Sequence, residues 1–207
     1  SSALYTGVGH DFRCMDTVSH LLIHCARAGR TTRFKNVYPQ DGIRIQRIEA
    51  QSPPLPAPPQ ISGYDMVHLA PVMNEIDLST WLAALGNMPC AISIQGWIKT
   101  AGSSFRESYP SLADPGPETS RAVVQVPWVP SEDDLRRIEV ASLSVEDLIG
   151  QGDLLERLTA NIPIVACTYG GDGADIFVDG RATRVGTFAV DELDPTGAGD
   201  SFAAGFI

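Results

Sequence analysis

Asp194 and Asp200 bracket a run of small residues, Pro195, Thr196, Gly197, Ala198 and Gly199, and the apolar stretch SFAAGFI follows. Pro195 cannot continue a preceding helix and biases Asp194 towards extended backbone. Gly197, Ala198 and Gly199 are small enough for the chain to approach a ligand closely. The apolar run predicts a helix over 197–207, so its exposed N–H groups form an anion site. Such donors can stabilise the charge on a transferring phosphoryl group. Asp200 falls in the first turn, where the helix dipole favours its charge and where it could take a proton from an attacking hydroxyl. The same residues also suit a plain glycine turn with a dipole partner, and both readings stay open at this level.

Further motifs are weaker. The acid-rich SEDDL at 131–135 reads as a capped helix start, and equally as carboxylates that could serve magnesium. Gly7, Val8 and Gly9 follow a predicted strand and raise a dinucleotide-binding alternative, but Phe12 takes the third glycine position and the 30–35 region is basic. No GxxxxGK[ST] run and no GxSxG elbow occurs. His20 and His24 stand four apart on a predicted helix, without the partners a zinc site needs. The cysteines, Cys14, Cys25, Cys90 and Cys167, form no CxxC pair and read as reduced thiols.

Elements must position these groups. Strands are expected at 3–8, 42–49, 66–69, 90–94, 123–126 and 164–168. A hairpin is expected at 175–187 around Asp179–Gly180. Helices are expected at 16–28, 77–86 and 154–160, with another opening at Ser131. The five prolines of 52–60 and the Gly/Ser/Pro-rich 95–120 read as irregular. Strand 42–49 alternates with period two and should keep one face wet, which suits a small side sheet. Alternating strands and helices predict an α/β fold with a largely parallel sheet.

With 207 residues, the chain is sized for one such domain, and 43% apolar and 19% charged residues are ordinary for a soluble globular protein. A net charge of −10 argues against nucleic-acid and anionic-membrane partners. No apolar run is long enough to span a bilayer, and the first residues lack a secretory pattern.

DPTGAGDSFAAGFI is similar to the C-terminal signature of the ribokinase/PfkB family of sugar kinases. The 167–174 segment, Cys167–Thr168–Tyr169–Gly170 with Gly173–Ala174, resembles the family's strand-end TxGxxG, and 6–11 resembles its VGxD turn. The resemblance implies a ribokinase-like, Rossmann-type three-layer fold with a small β-lid whose strands lie at 31–49. It implies an ATP-dependent phosphotransferase acting on a hydroxyl of a small sugar or polyol, in the cytoplasm. Asp200 would be the catalytic base, and Gly197, Ala198 and Gly199 the anion hole. Thr168, Gly170 and Gly173 would border the ATP phosphates. Asp194 and Thr196 would lie near a potassium-type cation site. Where the family has NxxE for magnesium, this sequence has Ser131 through Asp134, leaving Glu132 and Asp134 as candidate carboxylates. Gln95–Gly96–Trp97–Ile98–Lys99 leans towards myo-inositol kinase-like members. The resemblance also implies one kinase domain over 1–207, incomplete at both ends. The rivals are a non-catalytic nucleotide- or sugar-binding protein on the same fold and an NAD-dependent oxidoreductase. A homodimer through an open lid edge is a further expectation.

Overall fold

The computed structural model describes residues 2–27, 29–37, 45–59, 61–112, 114, 116–191 and 193–207. Its strands are β1 Ala3–Val8, β2 Leu22–Arg27, β3 Arg33–Val37, β4 Ile45–Ala50, β5 Val67–Leu69 and β6 Cys90–Ser93. They continue with β7 Lys99–Ser104, β8 Arg121–Gln125, β9 Val140–Ser144, β10 Ile164–Thr168, β11 Ala174–Val178 and β12 Arg181–Val185. The α-helices are α1 Leu78–Leu85, α2 Phe105–Ser108, α3 Glu132–Leu135, α4 Leu154–Asn161 and α5 Ala198–Phe206. The chain divides into two compact units. The first comprises Ser1–Pro56, Met73–Ile76 and Lys99–Gln125, and the second Ala57–Val72, Asp77–Ile98 and Val126–Ile207.

In the first unit β1 and β2 form a parallel pair, and β3, β4, β8 and β7 form an antiparallel sheet in that order. The expected lid strands at 31–49 correspond to β3 and β4, and residues 42–44 of the predicted strand lie outside the described residues. Three expectations are corrected here. The helix expected over 16–28 does not form in its described residues, 16–27: a single tight turn, Met15–Val18, leads into β2, whose backbone pairs in register with β1. His20 and His24 therefore share no helix face, and the His24 ring stacks on Tyr5 at 5.1 Å. The 95–120 region is not all loop, because β7 pairs with β8 and α2 follows it, with Phe105 fully buried, whereas its described residues from 109 to 120 carry no helix or strand. Finally, β4 has no cleanly wet face. Arg47 is 2% exposed, its guanidinium lies over the Phe105 ring at 5.4 Å, and it bonds Glu49 Oε1 at 2.7 Å and the Asp114 carbonyl at 3.1 Å.

The glycine pair near the start has a structural use. A Cβ at Gly9 would collide with the Arg30–Thr31 backbone, and the Gly9 N–H donates to Thr31 Oγ1 at 3.1 Å. Asp11 accepts from the Thr31 N–H and hydroxyl and from Arg33, and the Thr31 bonds hold its carboxyl below the usual range. A dinucleotide fingerprint needs a helix after the first glycine turn. Only the Met15–Val18 turn stands there.

The second unit is built on a six-stranded sheet ordered β12-β11-β10-β9-β6-β5. Four strands, β5, β6, β9 and β10, run parallel, and the β11–β12 hairpin completes the sheet antiparallel. Asp179 and Gly180 both have positive φ, as the tight turn between β11 and β12 requires. Ala91, Ile92, Ala141, Val165 and Ala166 are fully buried, so apolar strands fill the sheet centre. The α1 helix starts at Asp77, whose carboxylate accepts the Thr80 N–H, and stops at Gly86 with positive φ. Its inner face is Leu78, Trp81, Leu82 and Leu85, and Arg137 donates to the carbonyls of Leu82 and Gly86 at its end. The α4 and α5 helices pack against β10 and β9. All four cysteines are free thiols, and burial pushes Cys90 up to about 12. Among the described residues no helix is long and apolar enough to cross a membrane.

Candidate active site

The turn into α5 takes the conformation that its glycines permit. Gly197 is the N-cap at φ +83°, a left-handed geometry that disfavours any side chain. Asp194 Oδ1 accepts the Thr196 N–H at 2.9 Å, and that bond holds the carboxyl below its ordinary range. The Ala198 N–H turns back onto the Pro195 carbonyl at 3.1 Å, and Ser201 N–H closes the first helical bond onto Gly197. The N–H groups of Gly199 and Asp200 follow as first-turn donors without an intrahelical acceptor. A Cβ added at Gly197 or Gly199 would meet nothing within 4 Å, so open space lies where a ligand oxygen could enter. Asp200 stands exposed in the same turn.

A second glycine turn caps β10. Thr168, its last residue, donates its hydroxyl to the Leu143 carbonyl at 3.3 Å. Gly170 and Gly173 both have positive φ, and the Tyr169 N–H donates to the Gly173 carbonyl at 2.8 Å to close the turn. Nothing lies within 4 Å of a Cβ at Gly170 or Gly171. A Cβ at Gly173 would strike the Val185 carbonyl. Tyr169 donates to Asp175 at 2.9 Å, which pushes its phenol up to about 12, and Arg184 both stacks on that ring at 4.3 Å and pairs with Asp175 at 3.1 Å.

The sheet connects these turns. The α5 helix packs against β9, and β9 pairs in parallel with β10, placing Ser144 opposite Thr168. Glu132 and Asp134 stand elsewhere, on α3, which packs against α1 and α4. Ser131 caps α3, as its sequence predicts. The Glu132 carboxylate pairs with Arg136, whereas Asp134 Oδ2 accepts from the hydroxyls of Ser131 and Ser79 at 2.8 and 2.7 Å. Hydroxyl donors orient the Asp134 carboxylate without neutralising it, so it suits a magnesium site that keeps its waters and needs one or two protein oxygens. Glu132 suits it less, because a guanidinium already balances its charge. Among the described residues no three acidic, histidine or cysteine side chains converge as a protein-only metal cage.

Sequence reasoning did not pick out a polar file at the strand ends. His68 on β5, Ser93 on β6 and Ser142 on β9 are joined through contacts of 2.9 and 2.8 Å. Burial lowers the His68 pKa, and the Asp200 carboxylate raises it in opposition. The available signal was a histidine inside the apolar VHL strand.

Comparison with known proteins follows the same residues. The pfkB family carbohydrate kinase pattern matches residues 104–207, half of the chain. An inositol 3-kinase from Oryza sativa subsp. japonica is 52% identical over 42 residues, which is 20% of this chain and 11% of that enzyme. The sulfate complex of a pyrophosphate-dependent kinase in the ribokinase family superposes with a TM-score of 0.71 at 16% identity, covering 98% of this chain and 70% of that one. A pyrophosphate-dependent ribokinase-family kinase complexed with a pyrophosphate analog and myo-inositol gives 0.67 at 16% identity, over 98% and 70% of the two chains. At these identities the likeness shows a ribokinase-like α/β fold.

Proposed function

The chain belongs to the pfkB family of carbohydrate kinases, and on that premise we propose that it transfers the γ-phosphoryl group of ATP to a hydroxyl of a small sugar or cyclitol. One observation carries the reading. A left-handed glycine turn opens onto the N-terminus of α5, with free space at Gly199 and a carboxylate, Asp200, in the same turn.

In this reading Asp200 accepts the proton of the attacking hydroxyl. The first-turn N–H groups, with Gly197, Ala198 and Gly199 keeping the turn open, receive the charge of the transferring group. Thr168, Gly170 and Gly173 border the donor phosphates from the end of β10. Asp134, with Glu132 as a weaker candidate, would hold magnesium, which supplies charge neutralisation on the donor phosphates. Asp194 and Thr196 would hold a monovalent cation beside the turn. In this reading residues 1–207 form part of one kinase domain that acts in the cytoplasm on a small-molecule substrate, and a homodimer is tested by sedimentation.

A second donor is favoured by one observation: two of the similar folds belong to pyrophosphate-dependent kinases. The deciding experiment uses the full-length protein with magnesium and either ATP or pyrophosphate, across a panel of sugars, nucleosides and inositols, with Asp200→Asn alongside. Acceptor-dependent product that falls by roughly 10²–10⁴ in the variant supports the reading. Donor binding with no product from any acceptor supports a non-catalytic binding protein instead.

A further inference from the structure

Strand β12 buries none of its five residues. It nevertheless meets the glycine turn after β10 at successive positions. Arg184 stands opposite Asp175 in the β11–β12 register, pairs with its carboxylate at 3.1 Å and lies over the Tyr169 ring at 4.3 Å. The Val185 carbonyl lies so close to Gly173 that a Cβ there would strike it. Just past the strand, the Thr187 hydroxyl donates to the Gly171 carbonyl at 2.7 Å.

Asp175 ties these contacts together. Its Oδ2 accepts the Tyr169 phenol proton at 2.9 Å, while its Oδ1 pairs with Arg184. One carboxylate thus fixes both the ring and the guanidinium stacked on it. A planar guanidinium suits that place, because it bonds a carboxylate at its edge while its face covers an aromatic ring. Tyr169 opens the turn, and its N–H is spent on the Gly173 carbonyl. The N–H groups of Asp172 and Gly173 are spent on the carbonyls of Tyr169 and Gly170. Among the described residues the N–H groups of Gly170 and Gly171 have no acceptor, and open space lies beside both glycines. Successive N–H groups on such a turn suit an anionic oxygen.

We propose that Arg184, locked to Asp175 and stacked on Tyr169, is a positioning residue for the phosphoryl donor, holding Tyr169 and through it the Gly170 and Gly171 N–H groups in place for a diphosphate, the unit that ATP and pyrophosphate share. The proposal rests on the reading of this turn as the border of the donor phosphates. Charge and position make opposite demands on Asp175. As a bare charge its carboxylate repels a diphosphate. As the anchor of Arg184 and Tyr169 it supports the turn that binds one.

The test uses the full-length protein with magnesium. Calorimetry reads the Kd of ATP and of pyrophosphate, which needs no turnover, and kinetics read kcat and both KM values. Arg184→Ala should raise the donor Kd and KM by roughly tenfold, with the acceptor KM unchanged and kcat altered far less. Its unfolding midpoint should stay near wild type, because the side chain is 52% exposed. Asp175→Ala should also weaken donor binding, although it removes a negative charge. Tighter donor binding in Asp175→Ala, or unchanged donor binding in Arg184→Ala, overturns the proposal. Gly171→Val puts a side chain into the open space and separates the two readings. Donor binding unchanged in Gly171→Val overturns the placement of the donor phosphates at this turn. Donor binding weakened there but unchanged in Arg184→Ala overturns the positioning role alone.

Discussion

The Ser131 hydroxyl accepts the Asp134 N–H at 3.1 Å and donates back to the Asp134 carboxylate at 2.8 Å. A helix cap and the aim of an acidic side chain are thus fixed by one oxygen. Asp134→Asn preserves acceptors for both serine hydroxyls while removing the charge. The magnesium concentration giving half-maximal turnover should rise by roughly tenfold or more, the usual cost of disturbing a metal's support. Thermal stability should change little. An unchanged magnesium requirement would restrict Asp134 to capping.

Arg47 is buried in the first unit beside Glu49. Arg47→Ala would leave that carboxylate without its partner and remove the group stacked on Phe105. Urea unfolding should report a loss of about 3–5 kcal/mol. Arg47→Met, which refills the space, should cost less together with Glu49→Gln than Arg47→Ala does alone.

Gly173 and Gly171 lie in one turn but differ in what surrounds them. Gly173→Ala must strain a φ of +97° and push against the Val185 carbonyl, whereas a methyl at Gly171 meets open space. The first should destabilise by roughly 1–2 kcal/mol or more and raise the KM for the phosphoryl donor. The second should leave unfolding midpoints close to wild type.

The Asp77 carboxyl is held below its ordinary pKa by hydrogen bonds from Thr80, side chain and backbone. A depressed folded value means the stabilisation is complete above the unfolded carboxylate range, near 4, and is lost as pH falls through the folded value. Asp77→Ala should cost about 1 kcal/mol at pH 7, seen as a lowered Tm. The gap between wild type and Asp77→Asn should narrow at acid pH, because only the aspartate loses its cap by protonation.

Thiol chemistry should follow exposure. Cys14 is exposed, whereas Cys90 and Cys167 are fully buried and desolvation raises both. Brief alkylation of the native protein followed by mass spectrometry should modify Cys14 first and leave Cys90 and Cys167 intact until unfolding. Early labelling of Cys90 would contradict its packing on β6.

Elements governed by local rules were readable in the sequence. Asp77 and Gly86 delimit α1, Ser131 opens α3, Asp179–Gly180 turns the hairpin, and Gly197 starts α5. Elements decided by distant partners were not. Leu21, Leu22 and Cys25 satisfy a helical spacing, yet parallel pairing with β1 holds 22–27 extended. The central strand β9 went unread because its sequence, VASLS, interrupts the apolar pattern with the serines that reach β6 and the Asp147 cap. Gly102 and the serines of β7 look like loop, but pairing with β8 across a bulge accommodates them. The site divides the same way. The Asp194–Asp200 run announces itself, whereas the His68 file exists only once β5, β6 and β9 are neighbours.

The division of the chain into two interleaved units has a consequence for biosynthesis. The first unit draws on three separate stretches, ending at Gln125, so its antiparallel sheet lacks β7 and β8 until residues 57–72 and 77–98 of the second unit have also been made. The Lys35–Asp114 ion pair already spans 79 positions. Until those later strands leave the ribosome, the β3–β4 hairpin presents an unpaired edge, and loop closure over such distances is slow. Nascent chains halted before residue 121 should therefore depend on chaperones in a way that the finished protein does not.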